Sequence, residues 1–450
     1  MVLARRKKKS KDVSLEEIGI STEVATEDLL SQITEKMNEY LSDKYGEYED
    51  PELLIVPTDV RPLDAVLGGG LVLGMPVMVT GAAEIGKTTF AWQMIKSLQQ
   101  HYPNSISLYI DVEGSANSEN KDLGIKSRIE LMNIDRKRLI YKSMTLSIEK
   151  VFELIVDTVK FKRQIEEKLN INIPMIVVWD SIADTDPEKL IEEADNPNSV
   201  IGLKARIVQF LLGKYKPLFR RNQVMLFLID QVRANISDNM NNPYAGKQEK
   251  LVGQVNNLKS ATGAKSVEHK LRQWLFLSQG QEIFDYTDVL GWFLDIHILK
   301  SKLAPSGFTI RTVFDKRFGI DKFWTEYHFI SNLTPFEEKI FKKMGGQNSS
   351  AAKAFRNKVE SILSIKSSGA YKYLEYIDPS TGEVIQSKKF YQKDAKSLYN
   401  SDKEFKDLFD KCVEFHIKER IIKYFNPDNK DIQSLLSEPD DIDEGLTEQF

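Results

Sequence analysis

The segment from Val79 to Phe90, VTGAAEIGKTTF, constrains the fold of this chain more than any other stretch of its sequence. It places a glycine, four further residues and then Gly-Lys-Thr between an apolar run and a segment of helical character. Backbone N–H groups of such a loop surround phosphate oxygens, which requires permissive glycines at Gly81 and Gly86. The segment therefore predicts a strand, a phosphate-binding loop and a helix, and with them a bound nucleoside triphosphate.

Each position of this loop has a predicted part in nucleotide binding. Lys87 is predicted to reach the β- and γ-phosphates, and the hydroxyl of Thr88 to bind Mg²⁺. The remaining contacts are assigned to the loop and the start of the helix: Gly81, Ala82, Ala83, Glu84, Ile85, Gly86 and Thr89. We therefore expect ATP and Mg²⁺ as cofactors.

Acidic residues at two further strand ends fit the same chemistry. The apolar run MIVVWDS ends in Asp180 and Ser181, and an aspartate there is expected to hold Mg²⁺ beside the nucleotide. Asp111 and Glu113 follow another strand at spacing i, i+2, which puts both side chains on one face of the sheet. Glu113 is our candidate for the base that activates water. For Asp111 a role in a turn or cap is the stronger interpretation.

Short β-rich runs alternate with helical stretches between about Leu53 and Ile330. Several runs are almost continuously apolar, which is typical of strands covered by helices on both faces. The alternation predicts an α/β fold with a mostly parallel central sheet. The predicted strands are 76–80, 105–111, 139–143, 174–180, 223–230, 271–278 and 292–301, and the predicted helices include 88–100, 147–169 and 201–219.

Changes in composition divide the chain into five predicted segments. They are a basic tail (1–14), an N-terminal helical region (15–52), the core (53–335), a small α+β C-terminal domain (336–430) and an acidic tail (431–450). Apolar residues recur at helical spacing in the N-terminal region, which predicts a helix used for packing or for docking of subunits. The oppositely charged tails either solubilise the protein or act around a polyanion.

The single cysteine and the lack of long apolar runs exclude several classes of protein. One cysteine, Cys412, permits neither an internal disulfide nor a cysteine-rich metal site, and we expect it to be a small apolar residue of a helix. No apolar run approaches the roughly 20 residues of a membrane helix. No apolar segment follows the basic N-terminus, as it would in a secretory signal. A cytoplasmic protein without a membrane partner is expected.

Two strand ends distinguish this chain from other phosphate-loop proteins. The run FLIDQVR ends a strand in Asp230 and Gln231, immediately before the polar segment 233–265. Loops longer than about 12–15 residues in a compact domain are usually functional or disordered. The run LKSKL ends another strand with Lys300 and Lys302. Considered alone, this pair of lysines is most simply a solvated strand edge.

Taken together, these motifs resemble the RecA family of homologous-recombination ATPases. The likeness begins with RPLDAVLGGGLVLGMPVMVTGAAEIGKTTF and continues in order through YIDVEGS, VVWDSIADTDP, IGLKARI, LIDQVRANI, TGAKS and LKSKLAPSGFTIRTVFDKRFGID, over about 53–325. The region from YIDPSTGEVI to KEFKDLFDK is similar to the C-terminal part of T4-type phage recombinases. The resemblance implies a RecA-like core that forms helical filaments on single-stranded DNA and pairs that strand with homologous duplex DNA.

The resemblance also implies roles for individual residues. Glu113 would activate water, and Gln231 would sense the γ-phosphate and couple it to DNA. Lys300 and Lys302 would reach the nucleotide of a neighbouring subunit, and Arg128 stands at the family's adenine-stacking position. Two loops, about 188–202 and 233–263, would bind DNA through Ile201, Gly202, Arg206, Arg233, Asn235, Ile236 and Lys265.

Departures from the family pattern leave other functions open. Asp230 replaces the more usual neutral residue before the glutamine, and Trp179 stands where a small β-branched residue is commoner. One alternative is a RecA-fold hexameric helicase, in which an arginine finger would take the place of the two lysines. The other is a recombination paralogue or mediator that binds DNA without strand exchange. For a recombinase, the further implied partners are a single-strand-binding protein and a loading mediator, in the host cytoplasm if the chain is phage-encoded.

Overall fold

Buried apolar strands form the centre of the protein. The computed structural model describes residues 26–45, 52–114, 116–117, 126–192, 203–231, 267–285, 288–343 and 362–423. The strands are β1 (Ile55–Val56), β2 (Leu71–Val72), β3 (Pro76–Gly81), β4 (Ile106–Asp111), β5 (Leu139–Ser143), β6 (Met175–Asp180), β7 (Val224–Gln231), β8 (Gln273–Asp285), β9 (Asp288–Lys300), β10 (Thr309–Asp315), β11 (Gly319–Ile320), β12 (Leu363–Ser368), β13 (Tyr371–Ile377) and β14 (Val384–Phe390).

The helices connect these strands or flank them. They are α1 (Thr26–Tyr45), α2 (Arg61–Leu67), α3 (Lys87–His101), α4 (Arg128–Leu131), α5 (Ile148–Leu169), α6 (Glu188–Glu192), α7 (Leu203–Arg221), α8 (Lys322–Ser331), α9 (Pro335–Lys343), α10 (Ala395–Ser401) and α11 (Lys403–Ile417). Among the described residues, no helix is long and apolar enough to span a membrane.

The central sheet is mostly parallel. In the described part of the chain it has nine strands in the order β11-β10-β9-β8-β3-β7-β6-β4-β5. The strands from β8 to β5 in that order pair in parallel, and β9, β10 and β11 are added antiparallel. The predicted α/β class and the mostly parallel sheet are thus confirmed. Strands β10 and β11, which extend the sheet beyond β9, were not predicted.

Alternate side chains of the parallel strands face two separate hydrophobic clusters. On β6, Ile176 and Val178 join the cluster that contains α3, whereas Val177 and Trp179 join the cluster that contains α5 and α7. The same alternation holds on β3, β4 and β7. Since side chains on a strand alternate between faces, each strand end has one position on the α3 face and the next on the α5 face.

Helix α5 shows how the local sequence sets the bounds of these covering helices. The Ser147 hydroxyl accepts a hydrogen bond from the Lys150 amide at its N-terminus, and Asn170, in a left-handed conformation, ends it. Such N-caps are worth about 0.5–2 kcal/mol. The apolar face of the helix, which includes Val151, Phe152 and Ile155, is buried against the sheet.

The C-terminal strands form a second, antiparallel sheet of order β12-β13-β14. Leu374 and Phe390 of this sheet and Phe409 of α11 belong to the same buried cluster as the α3 face of the central sheet. Cys412 is also buried in this cluster, as expected for a small apolar residue on a helix. The chain divides into two units, Met1–Glu52 and Leu53–Phe450. The finer segment boundaries of the sequence analysis stay predictions.

A buried ion pair joins α9 to the π-helical segment Lys418–Ile422 that follows α11. The Arg420 guanidinium donates to both carboxylate oxygens of Glu337 and also to the carbonyl oxygen of Asn332, at 2.8 Å from Nε to Oε1 and 2.8 Å to that carbonyl. Both side chains are almost fully buried, with 4% and 1% exposed. Removing one partner of such a pair leaves an uncompensated charge in the interior.

We expect Arg420→Met to lower the free energy of unfolding by about 3–5 kcal/mol, because Glu337 would lose its partner. Urea unfolding followed by circular dichroism measures the change. Arg163→Met is the matched control, since its pair with Glu167 is exposed at both ends and is worth only about 0.3–0.5 kcal/mol. Equal losses in the two variants would contradict the importance of the buried pair.

Candidate nucleotide-binding and catalytic site

The predicted site residues meet at the carboxyl edge of the parallel strands. In the sheet register Gly81 of β3 pairs with Gln231 of β7, and Asp111 of β4 pairs with Asp180 of β6. Asp111, Asp180 and Gln231 occupy the strand positions that continue the α3 face. The helix α3 begins directly after the loop that follows Gly81, so these side chains and the loop share one face of the sheet.

Close packing at two glycines defines the loop. A Cβ at Gly86, whose φ is +111°, would lie 2.4 Å from Cζ of Phe314 on β10. A Cβ at Gly81 would lie 2.8 Å from the carbonyl oxygen of Leu277 on β8. Neither position accepts a side chain, so the backbone N–H groups of 82–86 stay close to the space a phosphate would fill. Of the loop residues, Ala82, Ala83 and Glu84 are exposed and Ile85 is buried.

Lys87 folds back over the loop that precedes it. Its Nζ atom donates to the carbonyl oxygens of Gly81 at 3.2 Å and Ala82 at 2.5 Å. The side chain is buried, and burial lowers the pKa of the ammonium group while nearby carboxylates oppose that shift. A buried ammonium group held only by neutral carbonyls is suited to bind anionic phosphate oxygens, which fits a triphosphate.

Asp180 and Thr88 form the predicted Mg²⁺ ligand pair. The Thr88 hydroxyl donates to Oδ2 of Asp180 at 2.8 Å, and the Tyr109 hydroxyl donates to the same oxygen at 2.6 Å. Burial raises the pKa of the Asp180 carboxyl, and these two hydrogen bonds partly counter the rise. One carboxylate and one hydroxyl at a phosphate loop fit Mg²⁺, which usually takes few protein ligands and completes its shell with water and phosphate.

Glu113 and Gln231, predicted as base and sensor, are in direct contact. The Gln231 side-chain amide donates to Oε1 of Glu113 at 2.8 Å, and the Ser181 hydroxyl lies 3.1 Å from the same oxygen. Partial burial raises the pKa of the Glu113 carboxyl, and the neighbouring Asp184 and Asp180 add to the rise. A higher pKa makes a carboxylate a better proton acceptor.

Asp111 supports the loop that carries Glu113. Its carboxylate accepts hydrogen bonds from the amides of Gly114 at 2.8 Å and Ala116 at 3.0 Å, and from the Tyr141 hydroxyl at 2.5 Å. The side chain is fully buried. With these three donors, Asp111 has the turn-forming role that the sequence favoured for it.

Lys300 and Lys302 are not near the phosphate loop of the same chain. Lys300 pairs with Trp274, and Trp274 pairs with Met78, which is three residues before Gly81. The offset is about 10 Å along the strands and about 10 Å across them, from typical strand dimensions. The two lysines therefore lie toward the opposite edge of the sheet from the loop.

The surroundings of these lysines are strongly cationic. Burial lowers the pKa of Lys216 on α7, and four neighbouring cations lower it further: Lys302, Arg272, Lys270 and Arg220. Burial and then Lys302 likewise lower the pKa of Lys300, whose ammonium group donates to the carbonyl oxygen of Glu268. We call Lys216, Arg220, Lys270, Arg272, Lys300 and Lys302 the basic edge cluster. Its electrostatics suit it to bind an anion.

The structure describes three of the remaining predicted positions, and their roles stay predictions. Arg128 of α4 donates to the carbonyl oxygens of Lys316 at 2.5 Å and Arg317 at 3.0 Å, so its guanidinium lies against the β10–β11 turn. Arg206 is exposed in the first two turns of α7, and Thr89 is buried in α3. The other predicted DNA contacts lie outside the described residues: Ile201, Gly202, Arg233, Asn235, Ile236 and Lys265.

The unusual Trp179 has a packing explanation. Its ring meets Phe152 of α5 edge-on, with centroids 5.5 Å apart, and its indole N–H donates to the Thr185 hydroxyl at 3.0 Å. The Thr185 hydroxyl in turn donates to the Ser181 carbonyl at 2.8 Å. Trp179 thus fixes the turn that follows Asp180.

Tyr109 and Asp184 belong to the site but were not predicted. Tyr109 stacks on Trp92 of α3 with centroids 4.0 Å apart, which points its hydroxyl toward Asp180. The sequence feature that could have identified Tyr109 is its place inside an apolar strand, because a buried tyrosine hydroxyl usually needs a hydrogen-bond partner. Asp184 accepts a hydrogen bond from the Ser181 hydroxyl at 2.5 Å. The sequence feature that could have identified Asp184 is a serine followed three residues later by an aspartate at a turn.

Comparison with known proteins places this site within a matched region. The family model described as RecA N-terminal domain matches residues 25–310. Protein RecA of Francisella philomiragia subsp. philomiragia is 26% identical over 288 residues, which are 64% of this chain and 70% of that protein. Protein RecA of Lactobacillus delbrueckii subsp. bulgaricus is 25% identical over 282 residues, which are 62% of this chain and 74% of that protein.

Asp230 generates a prediction about pH and stability. Burial raises its pKa to about 6. The native state therefore holds this proton more tightly than the unfolded chain, whose aspartates have a pKa of about 3.9. Below about pH 4 Asp230 is protonated in both the native and the unfolded state, so it does not lower the free energy of unfolding. As the pH rises through 6 the native state loses the stability that this proton provides.

We expect Asp230→Asn to raise the free energy of unfolding by about 1–2 kcal/mol at pH 8, and this gain to vanish near pH 4. Asparagine keeps a side-chain oxygen that can accept a hydrogen bond from the backbone amide of Gln231, as the Asp230 carboxylate does at 3.0 Å. Urea unfolding without nucleotide, repeated across this pH range, measures the difference from wild type. A gain that is constant with pH would contradict the assignment.

Proposed function

The chain belongs to the RecA family, and from this premise we propose that it is an ATP-dependent recombinase that forms helical filaments on single-stranded DNA and exchanges strands with homologous duplex DNA. RecA-family proteins are DNA-dependent ATPases, and the site described above has the parts that such an activity needs. The observation that carries the proposal is the hydrogen bond between Glu113 and Gln231 beside the phosphate loop.

That hydrogen bond joins catalysis to the segment proposed to bind DNA. Glu113 accepts from Gln231, and Gln231 ends β7 directly before the polar segment 233–265. A movement of that segment would therefore act on the glutamine and, through it, on the glutamate. Since the two side chains are 2.8 Å apart, occupancy of one site can change the other by direct contact.

We assign each side chain of the site one role in hydrolysis. Lys87 exchanges its contacts with the Gly81 and Ala82 carbonyls for contacts with phosphate oxygens. Thr88 and Asp180 would hold Mg²⁺, which would supply positive charge to the phosphates. Glu113 orients a water molecule and accepts its proton, while Gln231 detects the γ-phosphate. Arg128 holds the β10–β11 turn next to the adenine position.

The position of Lys300 and Lys302 favours an assembly with a shared site. Because both lie toward the far edge of the sheet, they would contact nucleotide only in a neighbouring subunit. The phosphate loop of one subunit and the basic edge cluster of the next would then face each other across a head-to-tail interface. Such an interface produces a helix when the rotation does not close, and a ring when it does.

DNA binding is proposed for the two polar loops and the start of α7. Cationic side chains neutralise phosphates without regard to sequence, and apolar side chains hold unstacked bases apart. Arg206, exposed on α7, is the described residue with this role. A single-strand-binding protein and a loading mediator are proposed partners. The similarity to T4-type phage recombinases adds the proposal that the chain acts in the cytoplasm of a phage host.

Two substitutions are expected to separate nucleotide binding from hydrolysis. Glu113→Gln should lower kcat for ATP by at least about 100-fold, because the base is lost, while filaments on single-stranded DNA still form with ATP. Lys87→Ala should abolish ATP-dependent filaments and strand exchange, because the phosphate contact is lost. An ATPase assay measures kcat, and negative-stain electron microscopy and a joint-molecule assay measure the filaments and the strand exchange of both variants. Six-membered rings that unwind forked DNA would instead support the helicase, and ATP turnover without joint molecules would support the paralogue.

Mixing experiments test the shared site. A Glu113→Gln chain and a Lys300→Ala/Lys302→Ala chain should each be inactive alone. In a one-to-one mixture about a quarter of the interfaces would combine an intact loop with intact lysines, so ATP turnover should return to about that fraction of wild type. A mixture of Glu113→Gln and Lys87→Ala chains is the control, because both defects lie on the same side of the interface. Recovery in the control, or none in the test mixture, would refute the shared site.

A further inference from the structure

The Asp180 carboxylate receives two hydroxyl donors on one of its oxygens. The Thr88 hydroxyl donates to Oδ2 at 2.8 Å, and the Tyr109 hydroxyl donates to the same atom at 2.6 Å. Thr88 is itself a proposed metal ligand, at the start of the helix that follows the phosphate loop. Tyr109 lies on β4 and is fully buried, so a bound nucleotide would not touch it. Its hydroxyl can therefore affect the metal site only through the aspartate.

The sheet register determines which side chain Tyr109 can reach. Tyr109 of β4 pairs with Val178 of β6 in a parallel ladder. Because side chains on a strand alternate between faces, Asp180 lies on the same face, two residues further along β6. Aromatic and other long side chains span such a diagonal between neighbouring strands. A tyrosine at this position thus delivers its hydroxyl to the aspartate at the end of the next strand.

Aromatic rings hold the Tyr109 ring in this direction. Trp92 of α3 stacks on it with centroids 4.0 Å apart and planes 11° apart, and the ring of Tyr141 on β5 is 5.8 Å away. The Trp92 indole N–H donates to the Ala116 carbonyl oxygen at 3.0 Å, which fixes the stacking ring. Rotation of the Asp180 carboxylate would break its hydrogen bonds to buried hydroxyls, and such a loss is costly in the interior. The packing therefore fixes the orientation of the carboxylate.

We propose that Tyr109 is a positioning residue of the metal site. It binds Oδ2 of Asp180 from the protein interior and keeps the carboxylate beside the Thr88 hydroxyl, in the orientation that receives Mg²⁺. Hydrogen-bond partners of this kind orient metal ligands, and their loss typically weakens metal binding by about 10–100-fold. The inference rests on the proposed function, because it concerns the affinity of the same site for its metal ion.

Tyr141 provides a matched control for Tyr109. Its hydroxyl donates to Oδ2 of Asp111 at 2.5 Å. Tyr109→Phe and Tyr141→Phe thus each remove one hydroxyl from a buried carboxylate within the same group of aromatic rings. Asp111 supports the loop that carries Glu113 and is not a proposed metal ligand. A loss of stability is expected in both variants, whereas a loss of metal affinity is expected only in Tyr109→Phe.

Mn²⁺ is the probe for the test, because it binds the same oxygen ligands as Mg²⁺ and its free ion is measured by electron paramagnetic resonance. ADP is held on an excess of the whole chain, and Mn²⁺ is titrated. Tyr109→Phe should weaken Mn²⁺ binding by about tenfold or more, while Tyr141→Phe should stay within about twofold of wild type. The Kd for ADP measured in EDTA should change less than about twofold in Tyr109→Phe, because Lys87 and the loop are untouched.

A third variant keeps the hydroxyl and disturbs its alignment. Trp92→Phe replaces the stacking ring by a smaller one, so its Mn²⁺ affinity should lie between those of wild type and Tyr109→Phe. Should Tyr109→Phe fail to fold, wild-type Mn²⁺ affinity in Trp92→Phe would overturn the proposal, and a loss that Tyr141→Phe does not share would support it.

Three results with a folded Tyr109→Phe protein would refute the positioning role. They are unchanged or tighter Mn²⁺ binding, an equal loss in Tyr141→Phe, and an equal loss of ADP binding in EDTA, which would indicate a distorted loop. If wild type binds neither ADP nor Mn²⁺, or hydrolyses no ATP with Mg²⁺ and single-stranded DNA, the proposed function fails instead. The two failures are thereby distinguished.

Discussion

The parallel hydrogen-bond register of β3, β7, β6 and β4 is the constraint on which the rest of the molecule depends. It aligns Gly81 with Gln231 and Asp111 with Asp180, so four strand ends deliver their polar residues to one edge. A shift of one strand by a single residue would turn its polar side chain to the other face of the sheet. The two buried clusters resist such a shift, because each side chain would then enter the wrong cluster.

The same register underlies the proposal that two subunits share one nucleotide site. Strand β9 runs antiparallel to β8, so its end at Lys300 lies near the beginning of β3, whereas the loop follows the end of β3. Helix α7 begins just after one proposed DNA loop, and its last turns carry Lys216 and Arg220 of the basic edge cluster. One helix, which contains Pro217, thus runs from a proposed DNA-binding region to the cluster that includes the lysines proposed to reach the neighbouring nucleotide. Under the proposed function, this helix would be a structural element common to filament assembly and DNA binding.

Much of the fold and site could be predicted because short-range patterns determine them. Runs of apolar residues indicated strands β3 to β9, and the positions of Asp180, Glu113 and Gln231 at or just after strand ends followed from the carboxyl-edge rule for parallel sheets. Lys87 was identified instead from the phosphate-loop motif. Long-range pairing could not be predicted in the same way. The addition of β10 and β11, the stacking of Tyr109 on Trp92 and the contact of the Ser181 hydroxyl with Glu113 depend on which elements become neighbours. A single strand's sequence does not contain that information.

The charges in the site show how the site without nucleotide would differ from the site with nucleotide and Mg²⁺ bound. Asp180, Asp184, Asp230 and Glu113 surround one buried ammonium group, that of Lys87. Burial, together with repulsion from neighbouring carboxylates, raises the pKa of Asp180, Asp230 and Glu113. Carboxylates that repel one another favour the arrival of a cation, and a divalent ion at Thr88 and Asp180 would reduce that repulsion. Lys87 would meanwhile be drawn from neutral carbonyls to phosphate. The folded chain therefore holds its catalytic groups in an electrostatically unfavourable arrangement that a nucleotide and its metal ion relieve together.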